Sequence, residues 1–333
     1  MTEPAATARQ GGAQATRRAP RGKLPQRLRA ASLEALSWIV RRLPERVALW
    51  LTDLGGDLWY RVTPGRRAQA RRNLGRVVAY LAATGLGSAA IRAAATDPAA
   101  LERLVHSAYR HAARYYLEMI RIPWIGPSMV GNRLVIETPD TVEAAFGVNR
   151  PVIFVAPHFG SIELPALFLA ERTGRIATVP METIGDPALQ DWLVRSRSRA
   201  RIHIVGLREA RHELAAALER GESVGLVGDR DILGSGGHVS LFGAPARLPM
   251  GPGLLSLETG APVFVAAVRR AEAGKYLGQL REISIPPEGT RRDRLTAVMD
   301  GVARAFEESV AEAPDQWWTV FYPIWPDLER DAT

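Results

Sequence analysis

The sequence predicts an α/β fold in which helices flank a central sheet, preceded by a basic amphipathic helical region. Three observations carry this. From Arg133 onward, short β-rich apolar runs alternate with helical segments, the pattern of a sheet with helices on its faces. Before that point, apolar residues recur at helical spacing with arginines between them. The 333 residues are 47% hydrophobic and 23% charged, which excludes a disordered chain, a collagen-like fibre and an integral bundle of membrane helices.

Taken in order, residues 1–25 are rich in Ala, Arg, Gly and Pro without an apolar run. They read as a disordered basic tail rather than a secretory signal, which argues for the cytoplasm. Leu28, Leu33, Leu36, Ile39, Val40 and Leu43 then mark a helix that Pro44 stops, and a second runs from Glu45 to about Val62. Trp38, Trp50 and Trp59 lie on this pair beside Arg27, Arg29, Arg41, Arg42, Arg46 and Arg61. Such a hairpin suits a lipid interface and equally suits packing on a main domain. Five charges interrupt the best apolar stretch, Leu33 to Leu51, so nothing there spans a membrane. A third helix, Arg66 to Leu81, is studded with arginines, and a fourth runs from Pro98 to about Ile120, with His111 and Tyr115 placed for core packing.

Strands are expected at Leu134–Glu137, Val152–Ala156, Ile176–Val179, Ile202–Val205, Val224–Val227, Pro262–Arg269 and Leu277–Ile285. Helices are expected near Ile162–Thr173, Pro187–Ala200, Glu209–Arg220, Pro252–Thr259 and Arg291–Ala313. The aromatic run from Gln316 to Trp325 reads as a strand or tail closing the core.

Charge is distributed unevenly. Of 43 basic residues only Lys23 and Lys275 are lysines, and residues 1–150 carry a net +12 against −4 for the remainder. The first half is built to meet anions: a membrane surface, a phosphorylated cofactor, an acidic protein or nucleic acid. Nucleic acid is disfavoured, because the basic residues come with Trp-bearing amphipathic helices and no recognisable binding module. Cysteine is absent, which removes disulfides, thiolate nucleophiles and Cys-ligated metals. P-loop, nucleophile-elbow, dinucleotide-binding and zinc-protease motifs are also absent.

What remains is Ala156-Pro-His-Phe-Gly-Ser-Ile-Glu163. His158 follows a strand directly, where ligands bind in open α/β sheets. Gly160 allows a tight turn, Ser161 is placed to cap the next helix, and Glu163 falls in its first turn. A neutral imidazole there can take the proton of an attacking sugar or glycerol hydroxyl. A carboxylate on the far ring nitrogen would fix the tautomer. No nucleophilic Ser or Cys is needed, so no acyl-enzyme is implied. The same residues also suit a capping Ser beside an incidental His and Glu. A second strand end carries Asp229-Arg230-Asp231, able to hold sugar hydroxyls or to lock a loop. Two acids flanking an Arg fit magnesium poorly.

Together with Leu241-Phe-Gly-Ala-Pro-Ala-Arg-Leu-Pro-Met-Gly-Pro252, Gln316-Trp-Trp through Trp325, and Arg66-Arg67 with Arg72-Asn73-Leu74, these motifs resemble the bacterial late acyltransferases. That family includes lipid A lauroyl/myristoyl enzymes and phosphatidylinositol mannoside acyltransferase. The lack of an apolar anchor helix and the Asp-Arg-Asp form are closer to the mannoside branch. The resemblance implies a central mixed sheet of the glycerolipid-acyltransferase kind. Residues 26–130 would form the membrane-facing part of the same domain, and 131–328 the α/β catalytic core. It implies His158 as base and Glu163 as its ring partner, with Glu182, Asp229, Arg230, Asp231, Phe242 and Arg247 binding substrate and no metal or resident cofactor. The donor would be acyl-CoA or an acyl carrier protein and the acceptor a glycolipid, at the anionic cytoplasmic face of the cell membrane, held peripherally. Pro287-Glu-Gly-Thr-Arg291 mimics a phosphate motif of glycerol-phosphate acyltransferases but lies too far past His158, and reads as a helix-start turn.

Overall fold

Every run expected as a strand joins one sheet in the computed structural model, which describes residues 24–122, 127–147, 151–199 and 201–329. The expected basic tail lies outside the described residues up to position 23; Leu24 and Pro25 already open the first helix.

The N-terminal part is helical: α1 (Leu24–Val40), α2 (Glu45–Val62), α3 (Pro64–Thr84), α4 (Ala89–Ala93), α5 (Pro98–Arg121) and α6 (Pro127–Arg133). Then come β1 (Leu134–Ile136), α7 (Pro139–Gly147), β2 (Ile153–Ala156), α8 (Leu164–Thr173), β3 (Ala177–Met181), α9 (Pro187–Arg199), β4 (Ile202–Gly206), α10 (Ala210–Glu219) and β5 (Ser223–Val227). The chain continues through β6 (Gly237–Leu241), β7 (Ala244–Leu248), α11 (Gly251–Thr259), β8 (Val263–Arg270), β9 (Tyr276–Ile283) and α12 (Arg291–Glu312). Short 3-10 turns follow from Pro314 to Leu328. The main sheet has the order β1-β9-β8-β2-β5-β3-β4 and is mixed: β8 and β9 are antiparallel, the other pairs parallel. Its central strand β2 is flanked on both sides, so Ile153 and Val155 are fully buried, as central parallel strands require. Thr290 caps α12 in a reciprocal capping box with Asp293, so Pro287–Arg291 is a helix-start turn.

The β6–β7 hairpin arises where the sequence suggests only Gly- and Pro-rich loop. Its turn is Phe242-Gly243, both with positive φ (48° and 71°), the two-residue form whose twist matches antiparallel strands. A phenylalanine there is strained, and the Glu307 carboxylate holds it by accepting its backbone N–H. The hairpin is anchored to the C-terminal segment, where Trp325 Nε1 donates to the Leu241 carbonyl at 3.0 Å.

α2 packs against α5 but leaves Val47, Trp50, Leu51, Leu54, Leu58 and Val62 exposed. These positions lie along one face at helical spacing. Trp38 and Ile39 of α1 are exposed as well. The two readings of this hairpin divide between its faces: Trp59 packs inward onto Tyr109 and Phe321, at 5.1 and 5.6 Å between ring centroids. No described helix is long and apolar enough to cross a membrane.

Candidate active site

The turn after β2 is fixed by residues brought in from three distant segments. Gly160 has φ 54°, and a Cβ there would come within 2.0 Å of the Val268 carbonyl oxygen, so only glycine permits the approach. Ser161 N–H donates to that same carbonyl at 2.9 Å, Gly160 N–H to Gln316 O at 2.9 Å, and Trp318 N–H to His158 O at 3.1 Å. Arg270, buried at the end of β8, donates to Gly160 O at 2.9 Å while pairing bidentately with Glu118. Ser161 does not cap the next helix: α8 begins at Leu164 with Glu163 in the N-cap position and no side-chain cap bond.

His158 emerges from this turn with its Nδ1 at 2.5 Å from Asp229 Oδ1. Asp229 stands at the end of β5, the neighbour of β2, and its side chain is wholly buried. Its other oxygen accepts from His158 N–H (2.9 Å), Trp317 Nε1 (2.7 Å) and Thr319 Oγ1 (2.7 Å). Burial alone would raise the carboxyl pKa, but the His158 charge and these donors reverse that and hold it below its usual range. The carboxylate on the imidazole is therefore Asp229, and the expectation that Glu163 fills that place is corrected. Glu163 lies in the same pocket wall but pairs with Arg197 of α9 at 3.1 Å. Spacing in sequence suggested a partner five residues along the chain, whereas the actual one lies 71 residues away. Among the described residues His158 Nε2 has no hydrogen-bond partner.

His158 lines a cavity of about 340 Å³ with Glu163, Arg197, Tyr115, Trp318, Glu182 and Arg230 around its polar end. The rest is apolar. Residues two apart on β2 (Phe154, Ala156), β3 (Ala177, Val179, Met181) and β4 (Ile202, Ile204) line it, and alternate strand side chains share a face. Pro165, Ala166 and Leu169 of α8 and Leu193 of α9 line it as well. The cavity therefore lies between one face of the sheet and these two helices, with apolar side chains from both. Two buried polar atoms on residues lining it lack partners among the described residues, Glu163 Oε2 and Trp318 Nε1. Buried polar groups are seldom left so, and these are an acceptor and a donor for a ligand.

Of the other expected site residues, Glu182 and Arg230 line the cavity, and Asp229 holds the imidazole rather than facing substrate. The structure does not bring the remaining three to the cavity. Asp231 closes its own loop by accepting from Gly236 N–H. Phe242 is buried against Trp317 and Trp325. Arg247 points from β7 to solvent near the Gly234 carbonyl. Arg197 was missed, being one of several arginines on an Arg/Ser-rich helix. Tyr115, expected only as core, is buried yet lines the polar end. No group of three or more His, Asp or Glu among the described residues is placed to hold a metal ion.

His158, held by the buried Asp229 carboxylate, thus stands at one end of an apolar cavity. The family model for bacterial lipid A biosynthesis acyltransferases matches residues 89–325. The phosphatidylinositol mannoside acyltransferase of Mycolicibacterium smegmatis is 27% identical over 297 residues, covering 87% of this chain and 90% of that protein. Its counterpart from Mycobacterium tuberculosis is 29% identical over 300 residues, 87% of each chain. The chain belongs to the bacterial lipid A biosynthesis acyltransferase family and is an acyltransferase.

Proposed function

We propose that the enzyme moves a fatty acyl group from acyl-CoA to a mannose hydroxyl of phosphatidylinositol mannoside at the membrane surface, by direct transfer. The observation that carries the chemistry is the Asp229–His158 pair at the polar end of the cavity between the sheet and α8 and α9. The acyl chain enters this cavity with its thioester carbonyl beside His158. Nε2 takes the proton of the acceptor hydroxyl as its oxygen attacks the carbonyl carbon, and Asp229 stabilises the imidazolium that forms. The tetrahedral oxyanion has two donors on the same wall, Trp318 Nε1–H and the Arg197 guanidinium. Collapse breaks the carbon–sulfur bond, and the leaving thiolate recovers the proton from Nε2. Glu163 keeps Arg197 in place and offers its free oxygen to a sugar hydroxyl. Glu182 and Arg230 face the acceptor. The mannose acceptor is favoured over a lipid A-like disaccharide by the two mannoside relatives.

Membrane attachment is assigned to the exposed stripe of α2 with Trp38 and Ile39. An amphipathic helix of this kind lies in the interface plane, its apolar face in the lipid, and Arg41, Arg42 and Arg46 stand beside it. The product keeps its acyl chains in the bilayer while the headgroup reaches His158.

The test is incubation of the purified protein with radiolabelled palmitoyl-CoA and phosphatidylinositol mannoside, or with a lipid A precursor. Label should appear in the mannoside, at its sugar, and not with His158→Ala. Without acceptor, denatured protein should retain no label. Label in the lipid A precursor alone would overturn the acceptor assignment, and a stoichiometric denaturation-resistant label would overturn direct transfer.

A further inference from the structure

Two arginines that share the Tyr322 ring, one of them in the cavity wall, have no acidic partner among the described residues. Arg66, exposed in the first turn of α3, sits with its guanidinium carbon 5.6 Å from the centroid of the Tyr322 ring. Arg230, which lines the cavity, approaches the same ring at 3.8 Å. Neither makes an ion pair among the described residues, although most of the arginines around them do. Arg71 pairs with Glu102, Arg76 with Asp327, Arg110 with Asp57 and Arg114 with Asp53. The acids flanking Arg230 in sequence are committed elsewhere, Asp229 to His158 and Asp231 to the Gly236 amide, and Glu182, which also lines the cavity, makes no ion pair with either arginine. The other polar group at this spot is a second phenol. Tyr116 is exposed on α5, and the charges of Arg66 and Arg230 and the Tyr322 phenol all act on it.

Two permanent cations converging on one aromatic ring, with no carboxylate between them, repel each other unless something anionic is shared. Ring contact holds each guanidinium plane and leaves its N–H fork free for a doubly or triply oxygenated anion. The place is specific, because Arg230 belongs both to this pair and to the cavity wall, and Tyr322 lies four residues beyond Trp318. We infer that Arg66 and Arg230, braced on Tyr322 beside Tyr116, form a subsite for a phosphate ester carried by one of the two substrates. This rests on the acyl-transfer reading, in which both substrates carry phosphate: the acyl carrier in its coenzyme, the acceptor in its phosphodiester.

The test uses Arg66→Gln and Arg230→Gln in the full-length protein, with circular dichroism to confirm folding and Arg66→Lys as a charge-retaining control. Rates are measured with palmitoyl-CoA or palmitoyl-pantetheine as donor, and with phosphatidylinositol mannoside or an alkyl mannoside as acceptor. Each Gln variant should raise KM for one phosphate-bearing substrate about tenfold, the worth of a charge-assisted hydrogen bond. Arg66→Lys should raise it less. The penalty should vanish with one phosphate-free analogue: with the pantetheine thioester if the phosphate is the carrier's, with the alkyl mannoside if it is the lipid's. Penalties that persist with both analogues, or KM values equal to wild type throughout, would overturn the subsite. Binding without turnover separates this from the acyl-transfer reading. Coenzyme A against pantetheine, and glycerophosphoinositol against inositol, are titrated calorimetrically into wild type and Arg66→Gln. Arginine-dependent binding of either phosphate probe sustains the subsite even if no mannoside is acylated; loss of that dependence removes the subsite even if acylation proceeds.

Discussion

The arginines at the floor of the site and those braced on Tyr322 are used in opposite ways. Arg197 and Arg270 are buried and each has a carboxylate, Glu163 or Glu118. Arg66 and Arg230 share a tyrosine ring and have none among the described residues. A buried charge must be neutralised by the protein itself. A charge that water still reaches can wait for a ligand. The contrast shows where this chain supplies its own counter-charge and where it leaves that to a substrate. It also bears on what the +12 of the first half means. That figure is already net of Glu45, Asp53, Asp57 and Glu102, which pair with Arg133, Arg114, Arg110 and Arg71. Arg76 pairs with Asp327 of the second half, but Glu118 pairs in turn with Arg270, so local pairing orders these arginines and leaves the excess of positive charge in place.

The largest expected effect lies at the floor. His158→Ala should lower turnover by about 10²–10⁴-fold, the range for a positioned general base. Asp229→Asn should come close to it and shift the pH–rate profile, because it touches the imidazole directly. Glu163→Gln should leave the His-dependent limb of that profile in place. If Glu163→Gln moved the limb and Asp229→Asn did not, the assignment of the ring partner would be reversed.

A stability experiment sharpens the same contrast. Arg197→Met leaves Glu163 buried without its partner and should cost about 3 kcal/mol in urea unfolding, recovered in large part by a second change, Glu163→Leu. Arg76→Gln breaks an ion pair whose Asp327 side is 62% exposed and should cost less than about 1 kcal/mol. Equal costs would mean that burial does not divide the arginines as described.

A third experiment concerns pH. Burial, with the charges of Arg270 and Arg114, pushes the His111 pKa down to about 3 from 6.5. The unfolded chain takes up this proton first, so stability is lost as pH falls from about 6.5 toward 3. His111→Phe should flatten that slope by about 2–4 kcal/mol over the window. Its neighbour Asp315, whose carboxyl is raised by burial, acts in the other direction: its contribution is present at low pH and fades as pH rises. An unchanged slope in His111→Phe would show that the imidazole is not held neutral.

The smallest effect on folding, and the clearest on location, belongs to the α2 stripe. Changing Trp50, Leu54 and Leu58 to Ser should leave the unfolding midpoint within about 0.5 kcal/mol of wild type per position, as exposed sites do. It should release the protein from anionic vesicles in co-sedimentation. Retained binding would move the lipid contact away from α2.

The sheet was legible because each of its seven strands is a short β-rich run between turn residues. The β6–β7 hairpin was not, since Pro245 and the glycines disguise an alternation, Val239 and Leu241 in and Ser240 out, that only the Phe242-Gly243 turn makes regular. His158 was legible from its place after a strand. Its partner was not: Asp229 was visible as a strand-end acid, but spacing in sequence cannot report which strands are neighbours. Arg197 was hidden by abundance, one arginine among 41.

The bonds that fix the Asp229 carboxylate reach 71 residues back to His158 and 88 and 90 ahead to Trp317 and Thr319. Contacts this remote in sequence close late, after the loops between them have been ordered. During synthesis, a chain that has not yet reached Trp317 and Thr319 already has His158 and Asp229 but lacks the two side-chain donors that fix the carboxylate. On the proposed mechanism, turnover would then depend on the docking of residues 317–319, and acyl transfer would report that this segment has closed over the site.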